Sequence, residues 1–231
     1  DHIDAAERFM YLDGVGKVAV YGTDMLGAIT GSEETNVPRS IQRAILKGLV
    51  DWDVVLRMGN ETYDRIVKAG RLPTRLERQP ELDKFNADLE TMKQDADKLS
   101  TATLFGGRPA VSKGFGMIMI SLMVPAVTQV FEAEDRCLMW TELSHCAFAL
   151  AAWRAEHGGY PAQLEQLTPR FLRNIPIDIY TGKSLIYRRF DSGYLLYGIG
   201  KNLKDDHGFT FGEGADTDDL VVRTPDEDRR I

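Results

Sequence analysis

The stretch "LIYRRFDSGYLLYGIGKNLKDDHGFTFGEGADTDDLVVR", residues 185 to 223, decides the fold class of this chain. It begins with two runs of apolar and aromatic residues, 185–190 and 194–199. The three residues between them, Asp-Ser-Gly, have the composition of a hairpin loop. A third apolar run, 220–223, follows an acidic segment. The pattern predicts a small antiparallel sheet in which the acidic segment connects the second strand to the third.

Before the sheet, the apolar residues follow helical spacing. The longest predicted helix extends from about Pro125 to Glu156, and the sequence His-Gly-Gly-Tyr-Pro at 157–161 is typical of a helix end. Its apolar stripe consists of Met139, Leu143, Ala147, Leu150 and Ala151. A long helix followed by a small antiparallel sheet predicts an α+β fold in which the helix packs on the sheet.

The first half of the chain is predicted to be mainly helical. A coiled-coil-like seam extends from Leu82 to Leu99, and glycines suggest turns between residues 14 and 31 and a loop at 100–116. The other predicted helices are 4–12, 38–56 with a stop at Gly59-Asn60, and 61–69. We therefore expect an amino-terminal helical region of unknown role, residues 1–112, and a carboxy-terminal α+β module, residues 113–231.

Charge and hydropathy exclude several classes of partner. The chain has a net charge of -7 and its basic residues are scattered among acids, so we expect no binding to nucleic acid. The most apolar run, 115–131, is shorter than a membrane span and contains Pro125, which predicts a buried core segment. The sequence begins at Asp1 rather than Met, so membrane association is expected only through a segment that this chain lacks.

The acidic segment, residues 201–219 and hereafter the acidic loop, needs an explanation of its own. Six acidic side chains are offset by only Lys201 and Lys204, and the loop contains three glycines and little apolar surface. Dense carboxylates repel one another, and a calcium ion, which prefers six to eight oxygen ligands, removes that repulsion. The spacing is not that of an EF-hand. The acidic residues are Asp205, Asp206, Glu213, Asp216, Asp218 and Asp219.

The carboxy-terminal sequence also contains a series of short motifs in a fixed order. They are "AAWRAEHGGYPAQLEQL" from residue 151, "NIPIDIYTGKSLIYR" from 174, "GYLLYGIGKN" from 193 and "DTDDLVV" from 216. In this order they resemble the soluble domain of the major pseudopilins of type II secretion systems. They also resemble uncharacterised planctomycete-type envelope proteins with the same tail. Ile179 stands where the pseudopilins have a proline, and Met119, in a signal-like run at 113–124, stands where they have a glutamate.

The resemblance implies a pilin-like fold with a calcium ion in the acidic loop, in a protein of the periplasm or the membrane-anchored cell envelope. It implies ligands at Asn202, at Asp216 or Asp218, and at backbone oxygens near Gly198 and Gly200. Local chemistry adds Asp205, Asp206 and Asp219 to the predicted metal ligands. The expected function is non-catalytic presentation of the calcium-stabilised loop to a protein partner. The oligomeric state stays open.

Two other functions compete with this interpretation. One is a hydrolase that uses carboxylates of the acidic loop, because sequence alone does not fix carboxylate separations. The other is a helical scaffold that binds another helix through the seam at residues 80–99. Familiar catalytic patterns give no support for an enzyme: Gly14-Val15-Gly16 lacks the strand that a dinucleotide site requires, and His145 with Cys146 cannot close a zinc site.

Overall fold

The computed structural model of the chain describes residues 3–22, 48–97 and 106–224. These residues form an α+β fold, as the sequence predicts. The helices are α1 (Ile3–Tyr21), α2 (Trp52–Gly70), α3 (Arg75–Asp97), α4 (Gly107–Met123) and α5 (Pro125–His157). A short 3-10 helix (Leu164–Leu167) follows, and then the strands β1 (Ile186–Arg189), β2 (Tyr194–Gly198) and β3 (Leu220–Thr224).

The chain divides into two compact units. Unit 1 comprises Asp1–Pro73 and Glu77–Phe131, and unit 2 comprises Thr74–Leu76 and Glu132–Ile231. Residues 113–131, which the sequence analysis grouped with the carboxy-terminal module, therefore belong to unit 1. Residues 125–131 of α5 belong to unit 1 and its remaining residues to unit 2.

Helix α1 is longer than the sequence predicted, because it continues through Gly14 and Gly16 to Tyr21. Tyr11, Val15 and Val18 are buried in the core of unit 1 at helical spacing. A glycine inside a helix costs about 1 kcal/mol relative to alanine, and burial of these three side chains exceeds that cost. The predicted turns between residues 14 and 21 were therefore wrong. The remaining predicted turns, up to residue 31, lie outside the described residues except at Gly22.

The predicted stop at Gly59-Asn60 was also wrong, because α2 continues without interruption from Trp52 to Gly70. Gly59 is buried beneath the ring of Tyr11, and a Cβ at this position would collide with that ring. The Tyr11 hydroxyl donates a hydrogen bond to the Val55 carbonyl oxygen (3.3 Å). Gly59 thus permits close packing of α1 on α2 and does not end the helix.

The predicted loop at 100–116 is contradicted by α4, which begins at Gly107. Val111, Phe115 and Met119 repeat every four residues on this helix and are buried in the core of unit 1. Gly116 allows α4 to approach α2, since a Cβ there would lie 2.8 Å from the Met58 sulfur. The prediction that the apolar run from Phe115 is core holds for these residues.

The seam of α3 packs inside unit 1. Leu82, Phe85 and Leu89 are buried, and Phe85 and Leu89 belong to the unit 1 core. These side chains are therefore already covered within the chain. The predicted helix from Pro38 lies mostly outside the described residues, and residues 48–51 immediately before α2 are not helical.

In unit 2 the three strands form an antiparallel sheet in the order β1-β2-β3. Ile186 pairs with Tyr197 across the first ladder, and Gly198 pairs with Leu220 across the second. The hairpin between β1 and β2 and the third strand confirm the strands predicted from the sequence. The acidic loop connects β2 to β3, as predicted.

Helix α5 supplies the other half of the unit 2 core. Met139, Leu143, Cys146 and Leu150 of α5 are buried in one cluster with sheet residues. The sheet residues of this cluster that are buried are Tyr194, Leu196 and Leu220. The helix ends at His157, and Gly158 follows with a positive φ of 77°, which confirms the predicted glycine cap.

A buried ion pair fixes the first turn of α3 in unit 2. The Arg75 guanidinium donates to the Asp135 carboxylate of α5 (2.5 Å), and it also lies over the Tyr180 ring at 4.5 Å. Breaking such a buried pair by removing one partner costs about 3–5 kcal/mol. None of the described helices has the length and apolarity needed to cross a membrane.

Candidate metal centre

The acidic loop leaves the sheet at the end of β2 and is folded by hydrogen bonds of its own. Three non-glycine residues in it have positive φ: Leu203 (59°), His207 (59°) and Asp216 (58°). Thr217 Oγ1 donates to the Thr210 carbonyl oxygen (2.8 Å), and the Asp219 amide donates to the Phe209 carbonyl oxygen (3.2 Å). These bonds join the middle of the loop to its carboxyl end, and the Asn202 amide, which donates to Asp218 Oδ2 (3.0 Å), joins the two ends.

Three carboxylates meet where the ends of the loop come together. One oxygen each from Asp206, Asp218 and Asp219 lies within 4.8 Å of the other two. Asp206 comes from the first half of the loop, and Asp218 and Asp219 directly precede β3. We call these three residues the carboxylate cluster.

Two oxygens of the carboxylate cluster are buried without a hydrogen-bond partner. They are Asp218 Oδ1 and Asp219 Oδ1. The Asp219 side chain is 0% exposed, and its other oxygen accepts a hydrogen bond from the Gly208 amide (2.9 Å). A buried oxygen of an ionised carboxylate without a donor or a cation is costly, and so these two oxygens point to a cation.

The pKa of Asp219 is consistent with a cation at these oxygens. Burial raises the pKa of Asp219 from 3.8 to about 6, the Gly208 amide opposes the shift, and the charges of Asp206 and Asp205 add to it. The nearby Gly200 amide also lowers the pKa. Without a cation, the folded protein therefore holds a proton on Asp219 more readily than the unfolded chain does.

This shift predicts a pH dependence for the protein in chelator. Because the folded pKa of Asp219 is raised, its contribution to stability is fully present below pH 4 and is lost as the pH rises through 6. Two pKa units set an upper bound of roughly 3 kcal/mol. We therefore expect the unfolding free energy of wild type, measured in urea relative to that of Asp219→Asn, to be highest below pH 4 and to fall as the pH rises through 6. A difference that does not change with pH would contradict it.

Asn202 holds the carboxylate cluster together. Its backbone amide donates to Asp218 Oδ2 (3.0 Å), and its side-chain Nδ2 donates to Asp206 Oδ2 (3.0 Å) and to the Asp216 carbonyl oxygen (2.8 Å). Its Oδ1 accepts a hydrogen bond from the Lys204 amide (2.7 Å). In this arrangement Asn202 positions two of the three carboxylates, whereas the sequence analysis placed it among the metal ligands.

Asp205 lies outside the carboxylate cluster and accepts hydrogen bonds that hold the loop against β2. Its Oδ1 accepts hydrogen bonds from the Tyr197 hydroxyl (2.9 Å) and the His207 amide (2.9 Å). Partial burial raises the pKa of Asp205, but these hydrogen bonds and the charges of His207 and Arg188 outweigh it, so that the pKa lies below its ordinary value. Burial also raises the pKa of Tyr197, which keeps its hydroxyl protonated as a donor.

The remaining predicted ligands lie around the cluster. Asp216 is exposed and its side chain is not part of the carboxylate cluster. Gly200 is in close contact with Asp218, since a Cβ at residue 200 would collide with both the carbonyl oxygen and Oδ1 of Asp218. Gly198 is the last residue of β2, and a Cβ there would lie 2.8 Å from Met139 Cε.

The donor set of the cluster fits calcium. Calcium binds oxygen at 2.3–2.6 Å in flexible geometry, so one ion can contact three oxygens that lie within 4.8 Å of one another. The three carboxylates carry three negative charges, and a divalent cation would offset most of that charge. The remaining positions of a calcium ion can be filled by backbone oxygens and water.

Some residues that shape the site were not singled out from the sequence. Asp178 is buried, and its carboxylate accepts hydrogen bonds from the Tyr180 amide (2.8 Å), the Thr181 hydroxyl (2.9 Å) and the Ile199 amide (3.0 Å). It thereby fixes the backbone between β2 and the acidic loop. The available signal was Asp178 itself in the Pro-x-Asp pattern at 176–178, because aspartate side chains often accept hydrogen bonds from nearby backbone amides.

A partly buried ion pair closes the far side of the loop. Glu213 Oε1 accepts from Arg223 Nη2 (2.5 Å), and Glu213 Oε2 accepts from the Thr210 amide (2.9 Å). Glu213 therefore anchors the loop to β3 and is not part of the carboxylate cluster. The ten-residue separation of the pair in sequence gave no signal for it.

Comparisons with protein-family models, with curated proteins and with solved structures gave no match. The resemblance to pseudopilins, which depends on short motifs, stays a prediction.

Proposed function

We propose that this chain is a non-catalytic, envelope- or secretion-associated protein whose acidic loop binds calcium and presents a stabilised surface to a protein partner. The observation that carries the calcium proposal is the pair of buried, unpartnered oxygens of Asp218 and Asp219 beside Asp206. The order of motifs from residue 151 to 222, which resembles that of the pseudopilins, supports the assignment to the envelope.

The contacts of the loop link the ion to an exposed aromatic turn. The Gly208 amide donates to Asp219 Oδ2 (2.9 Å), and the Phe209 amide donates to the Asp206 carbonyl oxygen (3.1 Å). The turn that carries Phe209 and Phe211 is therefore built directly on cluster residues. Phe211 is 89% exposed. A bound calcium ion fixes this turn, and the two phenylalanines are the proposed contacts for the partner.

The burial of the cluster favours an ion over a substrate. Asp219 is fully buried, and Asp218 Oδ1 is inaccessible to water. A monatomic ion with Ca–O distances near 2.4 Å reaches these oxygens. A hydrolase needs carboxylates in contact with its substrate, and no such contact is open to Asp219 or to Asp218 Oδ1. The hydrolase alternative would therefore depend on Asp205 and Asp206, which are the more accessible carboxylates.

Calorimetric melts of the whole chain test the calcium proposal. We expect the melting temperature to rise with the logarithm of calcium concentration, because a ligand that binds only the folded state stabilises it by RT ln(1 + [L]/Kd). A tenfold excess over Kd adds roughly 1.4 kcal/mol. The reference is the same protein in chelator, and magnesium is the control ion. A melting temperature that is the same in calcium and in chelator would contradict the proposal. A melting temperature that is the same in calcium and in magnesium would also contradict it.

A further inference from the structure

Unit 1 contains a groove that the calcium proposal does not use. It lies between α1 and α2 and has a volume of about 650 Å³. This is within the range of roughly 300–1,000 Å³ typical of small-molecule sites. The described residues that line it, which we call the basic groove, are Arg8, Phe9, Leu12, Asp64, Val67, Lys68 and Arg71.

The groove is positively charged in a chain that is negatively charged. Its described lining has three cations and one carboxylate, whereas the whole chain has a net charge of -7. Arg8 Nη2 donates to Asp64 Oδ1 (2.6 Å), and this bond holds the guanidinium at the groove. Among the described residues, Lys68 and Arg71 make no ion pair. Two cations are therefore available to an anion from solution.

The groove also has an apolar wall. Leu12 and Val67 line it and are only partly exposed, and Leu12 packs against the unit 1 core. Phe9 adds a large apolar ring that is 70% exposed to water. An aromatic side chain left this exposed at the edge of a concave surface is suited to cover the apolar part of a ligand.

Lys68 and Arg71 lie at the carboxyl end of α2, and this position alone could explain why both residues are cations, without any ligand. Cations stabilise the negative end of a helix dipole, and Lys68 is in the last turn of α2. That explanation does not extend to Arg8, which comes from α1 and is held toward the same groove. It also does not explain the exposed ring of Phe9.

We infer that the basic groove binds an anionic amphiphile, a molecule with a phosphate or carboxylate head and an apolar chain. The head contacts Lys68, Arg71 and the free N–H groups of Arg8, since a guanidinium has five N–H donors and Asp64 does not use them all. The chain lies against Leu12 and Val67 beneath Phe9. The ligand is a single dissolved molecule that fits the volume of the groove.

The test is isothermal titration calorimetry of the full chain with monomeric dodecyl phosphate. We expect saturable binding, with inorganic phosphate at least about tenfold weaker because it lacks the apolar chain. Dodecyltrimethylammonium, which has the same chain and the opposite charge, is expected not to bind. Equal binding of the two amphiphiles would overturn the inference. Binding to phosphatidylglycerol vesicles without binding to the monomer would also overturn it.

Variants separate the groove from general charge effects. Lys68→Glu with Arg71→Glu should weaken dodecyl phosphate binding by about tenfold or more. The matched control, Lys93→Glu with Lys113→Glu, makes the same change in net charge on exposed residues away from the groove, and should bind as wild type does. Phe9→Ser, at an exposed position, should weaken binding without changing the fold. Unchanged affinity in the charge-reversal variant or in Phe9→Ser contradicts the inference.

Discussion

Replacing Asp219 with asparagine is expected to weaken calcium binding about a hundredfold, which is roughly 2.8 kcal/mol of binding free energy. The same change is expected to stabilise the protein in chelator at pH 8. The substituted side chain keeps an oxygen for the Gly208 amide, which in the wild type bonds to Asp219 Oδ2 at 2.9 Å. It removes the buried negative charge whose pKa burial raises to about 6. The variant thus loses the ligand and also the cost of leaving that ligand without a cation.

The change in stability caused by Asp219→Asn is expected to have opposite signs in calcium and in chelator, and this distinguishes a metal ligand from a structural residue. A merely structural role for Asp219 would make the variant less stable with and without calcium. Urea unfolding in calcium and in chelator, together with calcium titration calorimetry, measures both effects. Destabilisation of similar size in both buffers would contradict a metal role for Asp219.

Asp216→Asn is the matched control for this experiment. It removes one negative charge from the same loop, but Asp216 is exposed and lies outside the carboxylate cluster. Asparagine also tolerates the positive φ of 58° at this position. We expect a calcium affinity within about twofold of wild type, since the charge is screened by solvent. A large loss of affinity here would move the site toward Asp216.

The carboxy-terminal half of the fold could be predicted because its signals are local. The hairpin at 185–199 follows from two apolar runs with a Gly-containing loop, and the end of α5 follows from His157 and Gly158. Each of these signals acts within a few residues of the structure it determines. The sheet and α5 were therefore found at nearly their observed boundaries.

The amino-terminal half was harder to predict because its glycines act through tertiary contacts. Gly59 and Gly116 resemble helix breakers in sequence, yet each is buried in a helix where a side chain would strike a neighbouring helix. Close packing of α1 and α4 on α2 compensates for the lower helix propensity of glycine. Sequence spacing does not show which residue of another helix a glycine will face.

The sequence predicted which loop would hold the candidate site, but only some of the residues that come together in it. Three of the predicted ligand residues, Asp206, Asp218 and Asp219, come together in the structure. Asp205 and Asn202 instead accept or donate hydrogen bonds that shape the loop. Their roles depend on Tyr197 of β2 and on backbone positions elsewhere in the loop, and neither was evident from local spacing.

Gly200→Ala is expected to abolish calcium-dependent stabilisation by displacing Asp218. A Cβ at residue 200 would overlap the carbonyl oxygen and Oδ1 of Asp218. Two hydrogen bonds prevent Asp218 from rotating these oxygens away. Its backbone amide donates to Asp206 Oδ2 (2.9 Å), and its side-chain Oδ2 accepts a hydrogen bond from the Asn202 amide (3.0 Å). Relief of the overlap therefore moves Asp218 and separates the carboxylate cluster. In chelator the overpacking is expected to cost about 1–3 kcal/mol.

Gly159→Ala serves as the control for Gly200→Ala, because a Cβ at residue 159 meets no atom within 4 Å. We expect its unfolding free energy to stay within about 0.5 kcal/mol of wild type and its calcium response to be unchanged. Both variants are measured by urea unfolding with and without calcium. If Gly200→Ala bound calcium with wild-type affinity, Asp218 would not be a ligand, because its oxygens cannot keep their positions beside an added methyl group.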